Sequence, residues 1–134
     1  MQFEISGLYV GLLGLFMVVI AFRVPLRRRS EKIGLGTGGD SELTTRIRVF
    51  GNFIEYVPMA LLMLVLLENR STPEWALHAL GLTLLGARIL HAVGLSATDY
   101  GKWRLRARFY GALLTFIILL IEALWLISGA LAGV

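Results

Sequence analysis

The chain contains no cysteine. That absence excludes disulfides, cysteine-ligated zinc, thiolate-held clusters and cysteine nucleophiles together, so any thiol chemistry must use a thiol brought from outside. Histidine is almost as scarce. His78 and His91 are distant in sequence and no other histidine lies near either, so no metal site is expected. A basic n-region is missing as well: Gln2 and Glu4 precede the first apolar run and no convincing small-residue cleavage site follows, so that run reads as a retained helix rather than a signal peptide. Charged residues make up only 16% of the chain against 57% hydrophobic, and a mean hydropathy of +0.75 is too apolar for a soluble domain. The net charge of +4 does not argue for nucleic acid, because the basic residues flank hydrophobic runs, where they set topology and meet anionic lipid.

Four apolar runs are present, at residues 5–22, 44–67, 75–95 and 105–131. Each supplies the ~20 residues that a helix needs to cross ~30 Å of hydrocarbon. The prediction is one domain over residues 1–134: all-α, an integral membrane four-helix bundle. Lys and Arg concentrate in and beside the first loop (Arg23, Arg27, Arg28, Arg29, Lys32, Arg46, Arg48) and around the third (Lys102, Arg104, Arg106, Arg108). By the positive-inside rule those two loops are cytoplasmic and both termini lie on the opposite side. Trp75 and Trp103 stand at opposite ends of spans, as interfacial anchors do. Gly34, Gly36 and Gly39 in the first loop satisfy the spacing GxGxxG, but a basic membrane exit precedes them and a span follows, where a nucleotide fingerprint requires a strand and a Rossmann helix. The loop reads as a turn-rich connector with Asp40 or Ser41 capping the second helix.

Polar residues inside the spans carry the functional signal. Arg48, Asn52, Glu55, Tyr56 and Pro58 interrupt or border the second run, where an arginine or glutamate at central depth costs roughly 2.5–3.5 kcal/mol. Offsets of four and seven put Arg48, Asn52 and Glu55 on one helical face. Taken singly, Arg48 reads as a snorkelling arginine and Glu55 as a structural partner; together with Asn52 and Tyr56 they offer cation, amide, carboxylate and phenol, which suits a small zwitterionic ligand. Pro58 frees the carbonyl of Ile54. In the third span Arg88 and His91 are three apart and share a face. A buried Arg88–Glu55 ion pair is the expected structural link, and His91 is expected to be a hydrogen-bonded core histidine. On the fourth span Arg104 and Arg106 fit a positive collar, with Tyr100 and Tyr110 nearby. Arg108 lies deeper. A guanidinium near a helix N-terminus is suited to lowering a thiol pKa from ~8.5 into the range where thiolate dominates. Glu122 is expected to bond to another helix or subunit.

The chain resembles the MAPEG family, the membrane-associated proteins of eicosanoid and glutathione metabolism. Arg48, Asn52, Glu55 and Pro58 are similar to the family's second-helix signature, and residues 87–95, with Arg88 and His91, are similar to the third-helix segment of its bacterial members. The resemblance implies a homotrimer in the bacterial inner membrane, with reduced glutathione as cosubstrate bound between adjacent subunits near the cytoplasmic face. It implies that Arg48, Asn52, Glu55 and Tyr56 hold the peptide, with Arg104 and Tyr100 beside them, and that Arg23 or Arg27 of the neighbouring subunit reaches a ligand carboxylate. It assigns Arg108 as the catalytic, thiolate-stabilising arginine. The implied reaction is that of a glutathione transferase or peroxidase acting on a small lipophilic electrophile or hydroperoxide. Where some members carry a tyrosine one turn beyond the arginine, this chain has Ala112, and Tyr110 faces another way. The main rival is a non-catalytic scaffold that binds lipid or a small molecule; a proton or ion conductor is the third reading.

Overall fold

The computed structural model describes residues 3–96 and 101–133. Its elements are four helices: α1 (Glu4–Ser30), α2 (Ser41–Asn69), α3 (Glu74–Leu95) and α4 (Lys102–Leu131). All four are long and apolar enough to cross a membrane. At ~1.5 Å per residue, α3 is about as long as the hydrocarbon core is thick, and the other three project beyond it. The projections account for the differences from the expected spans. An apolar run marks the part of a helix in lipid, whereas the helix itself continues for as long as the backbone is satisfied. Thus α1 runs eight residues past Phe22, through Pro25, and ends on Arg27, Arg28 and Arg29, whose charge complements the helix C-terminus.

The connector between α1 and α2 contains no strand, and Gly36, Gly38 and Gly39 take the positive φ values that its turns need. Asp40, rather than Ser41, caps α2 by accepting from the Leu43 amide. Its carboxylate also pairs with Arg27 (Nη2–Oδ2 2.8 Å), which reaches Glu31 and Glu42 as well. The Arg27 guanidinium, followed by the Leu43 amide, holds the Asp40 carboxyl below the usual carboxylate range. Because the folded-state value is depressed, this contribution is complete above the unfolded value of about 3.9 and is lost as pH falls through the folded one. The Leu43 amide resonance is therefore expected to titrate with a midpoint below about 3.9, and Asp40→Asn should abolish that step; a midpoint at or above the ordinary value would refute the cap.

At the opposite end, Glu68 of α2 accepts from the amides of Ile5 and Ser6 (2.9 Å each) and from the Ser6 hydroxyl, closing the otherwise open N-terminus of α1. Tyr9 donates to the carbonyl of His78 at 3.1 Å and so ties α1 to α3. The apolar core runs through Leu13, Phe53, Val57, Leu64, Leu77, Leu84 and Ile118. α2 and α3 form the central pair. α1 packs on one side of them and α4 on the other, without α1 meeting α4 among the described residues.

The tightest crossing is between α3 and α4. A Cβ on Gly111 would lie 2.6 Å from the His91 nitrogen and 2.7 Å from the Ala87 oxygen, and one on Gly94 would lie 2.5 Å from the Arg108 nitrogen. Two glycines therefore set the helices backbone to backbone, the usual device where lipid offers no hydrophobic drive for helices to associate. This approach brings polar side chains of α3 within reach of α4.

Candidate functional site

Arg88 is 1% exposed, and no carboxylate lies within ion-pair distance of it among the described residues. Its Nη2 donates to Asn52 Oδ1 at 2.9 Å and lies 3.3 Å from His91 Nδ1; its Nη1 donates to Thr115 Oγ1 at 3.3 Å. One guanidinium thus joins α2, α3 and α4 through neutral acceptors.

Beside this group is a cavity of about 360 Å³, within the size range of small-molecule sites. Its polar wall comes from Asn52 and Tyr56 of α2, Arg88 and His91 of α3, and Arg108 and Thr115 of α4. Leu105, Phe109, Ala112 and Phe116 form the apolar side. The Phe116 ring meets Tyr56 edge to face, with centroids 5.2 Å apart. Among the described residues, two guanidinium groups and no carboxylate line this space, so the lining favours an anion that also carries apolar surface.

The predicted residues divide in two. Asn52, Tyr56 and Arg108 are brought together at the cavity. Arg48 and Glu55 are not: their side chains are 64% and 46% exposed on the outer side of α2, with Nη1 and Oε1 3.7 Å apart. Their pairing corrects the expected Arg88–Glu55 link. Glu55 lies ~60° around α2 from Asn52, so Asn52 faces Arg88 and Glu55 turns outward. A neutral amide also satisfies the guanidinium without the several kcal/mol needed to bury a second charge. Arg104 lies over the Trp103 ring, its guanidinium carbon 4.8 Å from the centroid. Arg23 donates to Ser96 Oγ at 3.4 Å, linking α1 to the end of α3, and Arg27, near the end of α1, pairs with Glu31 and Asp40 of the first loop and Glu42 at the start of α2. Tyr100 lies outside the described residues.

The placement of Arg108 near a helix N-terminus also needs correction. α4 begins at Lys102, so Arg108 is nearly two turns inside, beyond the first turn over which the helix dipole acts. Any stabilisation of an anion there comes from the guanidinium itself.

Three of the polar lining residues were not expected to face a ligand. His91 was read as core and Arg88 as half of an ion pair, although their spacing of three had already placed them together. Thr115 had a signal too: it is seven residues from Arg108, on the same face of α4, and its hydroxyl donates to the Gly111 carbonyl at 2.8 Å. Glu122, seven further on, is fully buried with neither carboxylate oxygen hydrogen-bonded among the described residues, and nothing in the structure explains it.

The chain is 30% identical over 121 residues to the Escherichia coli K12 protein described as inner membrane protein YecN, covering 90% of this chain and 91% of that one. The protein of the same description from Escherichia coli O6:H1 matches to the same extent. Residues 6–128 match the sequence model of the MAPEG family. With four apolar helices, a second helix carrying Arg48, Asn52, Glu55 and Pro58, and a match across nearly its full length, the chain belongs to the MAPEG family.

Proposed function

We propose that this protein binds reduced glutathione in the cavity between α2, α3 and α4 and presents its thiolate to a lipophilic electrophile or hydroperoxide arriving from the inner membrane. The observation that carries this reading is the lining: among the described residues, two guanidinium groups without a carboxylate, next to exposed aromatic side chains. A unit charge ~4 Å from a sulfur contributes ~4 kcal/mol at an effective dielectric of ~20, equivalent to about three pKa units. Arg108 alone is therefore sufficient to bring a thiol of pKa ~8.5 into the thiolate range near neutral pH. Acceleration follows from thiolate stabilisation and positioning, and no protein nucleophile is needed. The exposed Arg48 and Glu55 are placed to hold a ligand end that leaves the cavity along α2, where a neighbouring subunit of a homotrimer would cover it.

The second reading, a non-catalytic lipid or small-molecule binding scaffold, draws on the Arg88 network, which ties three helices together whether or not a ligand binds. Equilibrium binding of labelled reduced glutathione to the detergent-solubilised protein, with thiolate absorbance followed on the same sample, separates the two. Saturable binding with a thiolate signal at neutral pH is expected. Absence of binding by a protein shown to be an intact oligomer would leave the scaffold.

A further inference from the structure

A guanidinium only donates hydrogen bonds, so every group around Arg88 must turn an acceptor toward it. Three groups do: Asn52 Oδ1, Thr115 Oγ1 and His91 Nδ1. Each has a second chemical face. An amide whose oxygen meets Arg88 directs its NH₂ elsewhere, and an imidazole whose Nδ1 lone pair meets Arg88 carries its hydrogen on Nε2. The Thr115 hydroxyl, accepting from Arg88, spends its hydrogen on the Gly111 carbonyl. All three residues line the cavity, and Asn52 and His91 are the two that keep a hydrogen-bonding group beyond these bonds.

We propose that Arg88 is a positioning residue whose donor-only chemistry sets the amide of Asn52 and the tautomer of His91, so that both present N–H groups to the cavity and make it selective for anions. His91 is then a hydrogen-bond donor to the ligand. It is not a base, because its only lone pair is already engaged. Burying a cation without a counter-ion is costly, and here that cost is offset by an orientation that an ion pair could not give: a carboxylate in place of Asn52 would return an acceptor to the cavity. The assignment of glutathione as the anion rests on the function proposed above, whereas the orientation of Asn52 and His91 is a property of the protein alone.

With two histidines in the chain, ring ¹⁵N NMR of the ligand-free protein in micelles reads this directly, and His78→Gln removes the other set of signals. A pyridine-type resonance for His91 Nδ1 and a pyrrole-type one for Nε2 are expected; the Nδ1–H tautomer, or an even mixture, would overturn the proposal. Arg88→Lys, still only a donor, should preserve the pattern, and Arg88→Gln, able to donate or accept, should let the second tautomer appear. An unchanged spectrum in Arg88→Gln would also overturn it. If that variant does not fold, Asn52→Asp provides the second test: it keeps the shape but exchanges the donor for a charged acceptor. It should weaken glutathione binding about tenfold more than Asn52→Ala, and equal losses would count against the proposal. Failure of glutathione to bind while His91 shows the expected tautomer would sink the glutathione reading and leave the role of Arg88 standing.

Discussion

Gly111→Ala is expected to destabilise the bundle by about 3 kcal/mol, at the upper end of the range for overpacking. The added methyl would meet backbone atoms of α3, the His91 nitrogen at 2.6 Å, the Ala87 oxygen at 2.7 Å and the His91 Cα at 2.8 Å, so no rotamer change relieves the clash. α3 and α4 must separate. The Arg88–Thr115 bond spans the same crossing, and the cavity depends on its geometry, so ligand binding should fall together with stability. Gly94→Ala meets Arg108 and Arg104 backbone atoms at 2.5 and 2.7 Å and should add to the loss. Gly86→Ala is the control. It lies on α3, as Gly94 does, with nothing within 4 Å, and alanine there is neutral or stabilising by up to about 1 kcal/mol. Denaturant titration in micelles, alongside glutathione binding, measures all three. A Gly111→Ala protein as stable as Gly86→Ala would mean that the helices do not approach as described.

The largest functional effect is expected at Arg108. Under the proposed function, Arg108→Ala should lower turnover about 10²-fold while changing glutathione affinity only severalfold, because its charge would act chiefly where the thiolate forms. Asn52→Ala should do the opposite, weakening binding more than turnover. Arg108 is a clean probe: it is exposed and pairs with no carboxylate among the described residues, so its removal leaves no carboxylate there unpaired. Arg88 offers no such separation, since three acceptors depend on it. Single-turnover kinetics with thiolate absorbance recorded before substrate is added distinguishes the two roles. Equal losses of binding and turnover in Arg108→Ala would remove its assignment as the thiolate-stabilising group.

Much of this was legible before the fold was known, for a physical reason. In a bilayer an unsatisfied polar group is so costly that apolar runs report spans and polar interruptions report sites. Asn52, Tyr56 and Arg108 stood out in that way, and the structure brings the three to one cavity. Partner choice was not legible. Arg88 and Glu55 looked complementary in charge and depth, but ~60° of helical rotation gave Arg88 to Asn52 and turned Glu55 toward Arg48. Helix ends were also misplaced, because hydropathy stops at the lipid while hydrogen bonding continues; this is why Arg108 lies deeper in α4 than its sequence neighbours suggested. The aromatic side of the cavity, Phe109 and Phe116, carried no signal, since an apolar side chain in a span is equally at home against lipid.

Sequence by itself determined the number of helices and their membrane character, because both follow from composition and local spacing along one chain, and the residues of its second and third helices carried the resemblance to the family. Only the tertiary structure decided that Arg88 and His91 line the same cavity as Asn52 and Arg108, because that depends on two glycines letting α3 and α4 touch and on the rotation of α2 against them. Those relations between helices are set by close packing of surfaces far apart in sequence.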